Sequence, residues 1–154
     1  MQIRSEQEAL FVACEMETTA VQLYRRALRV MDERGRQNEP LYEELTFMQS
    51  DEEGHLQQFR ALYTGLEAPV ERQLTLSAVA EGVLFEGGLM GAARQGLLDD
   101  VEGMLHFAME AERTSAQKYR EFAQLATNEQ ARATLLLIAA EEDKHLSELM
   151  AQAE

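Results

Sequence analysis

The sequence predicts an all-α protein, a bundle of four long helices built as two similar hairpins joined by a long crossover, and three observations carry that prediction. Only two prolines and 6% aromatic residues occur in 154, and the abundant Ala, Leu, Glu, Gln and Met favour helix over strand. Apolar residues recur at alternating steps of three and four, the spacing that lines one face of a helix, while strand-like alternation is nearly absent. The chain also repeats itself. A shift of 95 residues aligns the stretch from Leu10 with that from Leu105, matching Leu, Ala, two Glu, Thr, Gln, Tyr and Arg. A shift of 90 matches Leu45, Glu52, His55 and Leu56 to Leu135, Glu142, His145 and Leu146.

The first helix is expected to start at Ser5, where Ser5 and Glu8 have the spacing of a capping box, and to run to about Arg34 before Gly35. Asn38 is the expected cap of the second, with Pro40 in its first turn and an end near Thr64, before Gly65. Asp99 or Asp100 caps the third, which runs to about Ala126. The Thr127-Asn128 turn opens the fourth. Between the hairpins, residues 65–98 contain Pro69, Gly82, Gly87, Gly88, Gly91 and Gly96, too many breaks for one long helix, with a short helix expected around Leu76–Leu84. A 25-residue helix is roughly 38 Å long, and a connection of this length can return from one end of the bundle to the other.

Composition narrows the function classes. A length of 154 suits one domain spanning residues 1–154. With 28 acidic against 14 basic residues the net charge is -14, which argues against nucleic acid and anionic membranes as partners. The single cysteine, Cys14, can form no internal disulfide. No apolar signal core or membrane-length stretch is present, so a cytoplasmic location is expected.

The four seams carry the chemistry. Read in steps of three and four, helix one presents Leu10, Ala13, Glu17, Ala20, Tyr24, Ala27 and Met31, and helix two presents Leu41, Leu45, Met48, Glu52, His55, Phe59 and Leu62. Helix three presents Leu98, Val101, Leu105, Ala108, Glu112, Ser115, Tyr119 and Phe122, and helix four Ala131, Leu135, Ile138, Glu142, His145 and Leu149. A glutamate interrupts every seam near its middle, and no Lys or Arg shares any seam with it. Burying ionised carboxylates without partners costs several kcal/mol each, so a cation is missing from this inventory. His55 and His145 follow Glu52 and Glu142 at i+3, on the same helical faces. Two divalent metals would balance four glutamates, and carboxylate oxygen with imidazole nitrogen suits iron or manganese, with zinc as a substitute. Counting from the turns at 1.5 Å per residue puts Glu112 and Glu142 level, and Glu17 and Glu52 within roughly 6 Å.

At these residues the sequence resembles the ferritin-like superfamily and, within it, the rubrerythrin-type di-iron domain. The resemblance rests on the stretches Glu17 to Tyr24 and Glu112 to Tyr119 and on DEEGH and EEDKH at residues 51–55 and 141–145. It implies that Glu17 and Glu112 are ligands from helices one and three, that Glu52 and Glu142 bridge two irons, and that His55 and His145 each bind one. Two departures stand out. Rubrerythrins that act as peroxidases usually carry a further glutamate one turn after the helix-three ligand, where this chain has Ser115. They also commonly carry a four-cysteine rubredoxin domain, so electrons here would come from another protein. Ferritin cages usually add a short fifth helix after the fourth, and nine residues follow His145 here, so a 24-subunit cage is not expected.

Tyr24 and Tyr119 lie seven residues after Glu17 and Glu112, and their side chains lean back toward the centre, where each hydroxyl is expected to hydrogen-bond a ligand carboxylate. Cys14 reads as a small buried apolar residue, and His106 as a surface one. Asp51, Glu53, Glu141 and Asp143 read as solvated charge. The expected function is a di-iron oxidoreductase that reduces peroxide or dioxygen with an external redox donor protein, in the form of a homodimer. The same residues also suit an iron-handling protein that oxidises Fe(II) for storage or delivery, or a metal-stabilised bundle without turnover.

Overall fold

The computed structural model describes residues 2–84, 88–96 and 98–153. Six helices follow one another, α1 Glu6–Glu33, α2 Pro40–Leu62, α3 Ala68–Ala80, α4 Gly88–Arg94, α5 Val101–Ala123 and α6 Glu129–Ala153, with no strand among the described residues. The four long ones are the predicted pair of hairpins, α1 with α2 and α5 with α6, packed together through α1 against α5 and α2 against α6. No helix among the described residues is long and apolar enough to cross a membrane.

Local chemistry sets the helix ends. Ser5 Oγ accepts from the Glu8 amide at 3.1 Å, as a capping box requires, but the Glu8 carboxylate accepts in return from the Arg4 amide, also at 3.1 Å, one residue before the cap. At the other end Gly35 takes a φ of 66°, and the Gly35 and Arg36 amides close back on the carbonyls of Asp32 and Met31. Asn38 does not cap α2. That position falls to Glu39, which makes no side-chain capping bond, and Pro40 at the start of the helix removes one N–H that would need a partner. The helix stops at Leu62, two residues short of the expected end. Of the two candidate caps for α5, Asp100 is the one used, accepting from the Gly103 amide at 2.6 Å. Asp99 instead offers its carbonyl to Arg34 at 2.8 Å, tying the end of α1 to the start of α5. Helix α5 stops at Ala123, three residues before the expected end. Asn128 Oδ1 accepts from the Gln130 amide at 2.7 Å and starts α6.

The crossover holds more helix than expected. A single short helix around Leu76–Leu84 is replaced by α3, which begins at Ala68 with Pro69 in its first turn, and by α4. Gly82 ends α3 with a φ of 76°. Gly88 and Gly91 lie within α4 and do not break it, while Gly87 lies outside the described residues. Both α3 and α4 pack on α1.

Two apolar clusters fill the bundle. One joins the first half of α1 to Phe59 of α2, Leu74 of α3, Tyr119 and Phe122 of α5 and the first half of α6. The other joins the second half of α1, the first halves of α2 and α5, and Leu149 of α6. So α1 runs antiparallel to α5, and α2 ends at the opposite end of the bundle from the start of α5, which is why a long crossover is needed. Between the clusters lies a polar layer.

Candidate metal centre

The polar layer consists of the seam residues that had no business in a core. Glu17, Glu52, Glu112 and Glu142 are each 1–2% exposed, as are His55 and His145 at 2%. Of all the seam positions only Ala20 and Leu62 fall short of full burial. Each of the four long helices contributes one glutamate near mid-length, and α2 and α6 add the histidine one turn later, so the six groups converge at a single level.

Their polar atoms form two overlapping groups. Ligand atoms of Glu17, Glu52, His55 and Glu142 lie within 4.8 Å of one another, and so do those of Glu52, Glu112, Glu142 and His145. Glu52 and Glu142 belong to both. His55 Nδ1 stands 2.9 Å from Glu142 Oε1, 3.6 Å from Glu52 Oε1 and 3.7 Å from Glu17 Oε1. His145 Nδ1 stands 3.0 Å from Glu52 Oε1 and 3.5 Å from Glu112 Oε1.

These residues are poorly satisfied by one another. Glu17 Oε2, both Glu52 oxygens, Glu112 Oε2 and His145 Nδ1 are buried without a hydrogen-bond partner; among the described side chains the same is true elsewhere only of Arg26 Nε. Buried polar atoms are normally paired, and a cluster of exceptions calls for an ion. The donor set, four carboxylates and two imidazoles, fits metals such as iron, manganese and zinc. Electrostatics agree. Burial, followed by the charges of Glu17 and Glu112, holds the Glu52 carboxyl well above the usual range, and burial with Glu112 and Glu52 does the same to Glu142. Burial alone would raise Glu112 too, but its close contacts with Glu142 and the His145 imidazole keep it below its ordinary value. Burial works against protonation of His145, yet Glu112 and Glu52 beside it push its pKa up to about 11. The protons these groups hold are the positive charge that a metal would replace.

Both tyrosines reach the centre as expected, each crossing to the opposite hairpin. Tyr24 donates to Glu112 Oε1 at 2.5 Å and Tyr119 to Glu17 Oε1 at 2.8 Å. Tyr119 is also packed edge-on against Phe59, with ring centroids 5.1 Å apart. The expectation that Asp51 and Glu141 are merely solvated is overturned. Asp51 Oδ2 lies 3.0 Å from His145 Nε2, and Glu141 Oε2 contacts His55 Nε2. Each histidine therefore turns Nδ1 inward and has a carboxylate behind it, the arrangement that orients a ligating imidazole. The available signal was duplication: each Glu-x-x-His is preceded by an acidic residue, but only helix packing shows that the contact crosses to the other hairpin. Glu53 and Asp143 do face outward, pairing with Arg25 at 2.6 Å and Arg120 at 2.5 Å.

The tyrosine–glutamate, histidine–outer carboxylate and arginine–carboxylate contacts each occur twice, related by the 95- and 90-residue shifts. The duplication is thus a pseudo-two-fold through the polar layer. Ser115 is 8% exposed on the α5 seam. Cys14 is half-buried, and burial pushes its thiol up to about 11, so it is a poor nucleophile near neutral pH. His106 is exposed.

A family model described as a ferritin-like domain matches residues 5–153. No curated protein and no solved structure matches the chain.

Proposed function

Because the chain belongs to the ferritin-like domain family, we propose that it is a rubrerythrin-like di-iron carboxylate oxidoreductase that reduces peroxide or dioxygen with electrons from an external donor protein. The observation that carries this reading is the pair of overlapping four-residue groups sharing Glu52 and Glu142, with five of their buried polar atoms unpartnered. Glu17 and His55 would hold one ion, Glu112 and His145 the other, and Glu52 and Glu142 would span both. Two irons bound there would supply the electrons for oxygen–oxygen bond cleavage. The chain supplies a fixed cage. Tyr24 and Tyr119 hold Glu112 and Glu17 in place, Asp51 and Glu141 orient the imidazoles, and apolar clusters flank the six residues on both sides. The working unit of this reading is one domain spanning residues 1–154, a homodimer in the cytoplasm.

Ser115 favours a second reading. A peroxidase of the rubrerythrin type usually has a glutamate there, and its replacement by a short hydroxyl leaves iron handling, with Fe(II) as the substrate, as the alternative. Metal analysis of the native protein, its absorption spectrum before and after peroxide, and turnover with a reductant decide between them. Two irons per chain and sustained peroxide consumption without retained ferric iron support the oxidoreductase. Many irons retained per chain support handling. A protein that holds no metal, and whose melting temperature iron, manganese and zinc leave unchanged, would overturn both.

A further inference from the structure

A cavity of about 180 Å³ opens between α1 and α5 and ends on the candidate metal centre. Its inner wall is Tyr24, Glu112 and Glu142. Glu17, Glu52, His55 and His145 do not line it, so of the residues that belong to only one of the two four-residue groups it touches Glu112 and not its counterpart Glu17. The two halves of a duplicated site are therefore unequal in access.

The lining has a graded chemistry. Met16 and Leu23 from α1, Phe107 from α5 and Leu84 from the crossover supply apolar walls, while Thr19, Thr114 and Ser115 set hydroxyls among them. Duplication alone would not give this shape. The residues of α5 equivalent to Met16 and Leu23 are Ala111 and Lys118, so the second hairpin does not repeat these two apolar side chains. Hydrogen peroxide needs little more than the volume of one water, about 30 Å³. A cavity of about 150 Å³ lined by apolar side chains is enough to hold benzene. This one is larger, mostly apolar along its sides and polar at its inner end.

We propose that the cavity is the substrate chamber and that it takes a small organic hydroperoxide, with the apolar body against Met16, Leu23, Leu84 and Phe107 and the peroxide group toward Ser115 and Glu112. The inference rests on the oxidoreductase reading and names its substrate class. The reaction cleaves the O–O bond, consumes two protons and two electrons drawn from ferrous iron, and releases the corresponding alcohol and one water.

Binding is tested apart from turnover, with 2-phenyl-2-propanol, the unreactive alcohol product of cumene hydroperoxide. Titrated into the metal-free protein and followed by amide NMR, it is expected to shift resonances of residues 16–24 and 107–115 and to saturate. Thr19→Phe and Thr114→Phe, each filling the chamber from its half-buried rim, should weaken that binding at least tenfold while leaving the amide spectrum folded. In the iron-loaded protein the same variants should lower kcat/KM for cumene hydroperoxide at least tenfold more than they lower it for hydrogen peroxide. Absence of saturable alcohol binding to the wild-type protein, or binding indifferent to both rim variants, overturns the chamber. Turnover of hydrogen peroxide without turnover of cumene hydroperoxide overturns the substrate class and leaves the oxidoreductase reading standing. Alcohol binding with turnover of neither peroxide overturns the oxidoreductase reading and the hydroperoxide with it.

Discussion

Glu52 and Glu142 are the residues on which charge and packing conflict most. Both are buried among other carboxylates with protonation favoured, so neutralising either should help the metal-free protein and harm the metal site. Glu52→Gln and Glu142→Gln are expected to abolish binding of a second metal while raising apo stability by about 1–2 kcal/mol, read as melting temperature at roughly 2–4 °C per kcal/mol. A lower apo melting temperature in both variants would count against a crowded site. Tyr119→Phe leaves Glu17 Oε1 without its donor, and Asp51→Asn removes the charge behind His145. Each should weaken metal affinity about 10–100-fold, measured by competition with a chelator of known affinity. The glutamates and histidines were legible from seam spacing, because a charge at a core position has no structural use by itself. Asp51 and Glu141 were not, because their helical positions face partly outward and only the approach of α2 to α6 brings them to the imidazoles.

Single capping bonds govern the elements. Asp100 supplies the one side-chain bond that satisfies an amide at the start of α5, and Ser5 does so for α1. Asp100→Ala and Ser5→Ala should each cost about 1 kcal/mol, seen as a drop of roughly 2–4 °C in melting temperature, with metal stoichiometry unchanged because Glu112 and Glu17 lie three turns away. Loss of metal in either variant would show that the centre depends on helix ends more than on the bundle core. Capping residues and Gly35 were readable because their signals are local. The cap of α2 was misread because a cap can be made without a side-chain bond once proline occupies the first turn. The crossover was underestimated for a related reason: α3 and α4 gain their helicity from packing on α1, and tertiary burial overrides the weak propensity of Gly91.

Across the whole molecule, pH and metal should act against each other. Glu52, Glu142, His55 and His145 all have raised values in the folded chain. The folded apo protein therefore holds more protons at these sites than the unfolded one, and their contribution to stability is lost as pH rises, for His145 toward about 11. Glu112, with a lowered value, contributes stability that is lost as pH falls through the acid range. Apo protein should thus melt highest in mild acid and lower at about pH 9. Metal must displace the same protons, so affinity should rise from about pH 6 to about pH 8, with proton release visible by calorimetry in buffers of different ionisation enthalpy. Affinity that falls over that interval would contradict a site built from protonated carboxylates. The sequence by itself determined the four long helices, their pairing into two hairpins and the six residues of the polar layer, since periodicity, duplication and the cost of a buried charge are all local or additive signals. Only the tertiary structure decided that each tyrosine and each outer carboxylate serves the opposite hairpin, and that one side of a duplicated centre opens to a cavity. Those features depend on how α1 meets α5 and α2 meets α6, and contacts between helices distant in sequence leave no periodic trace along it.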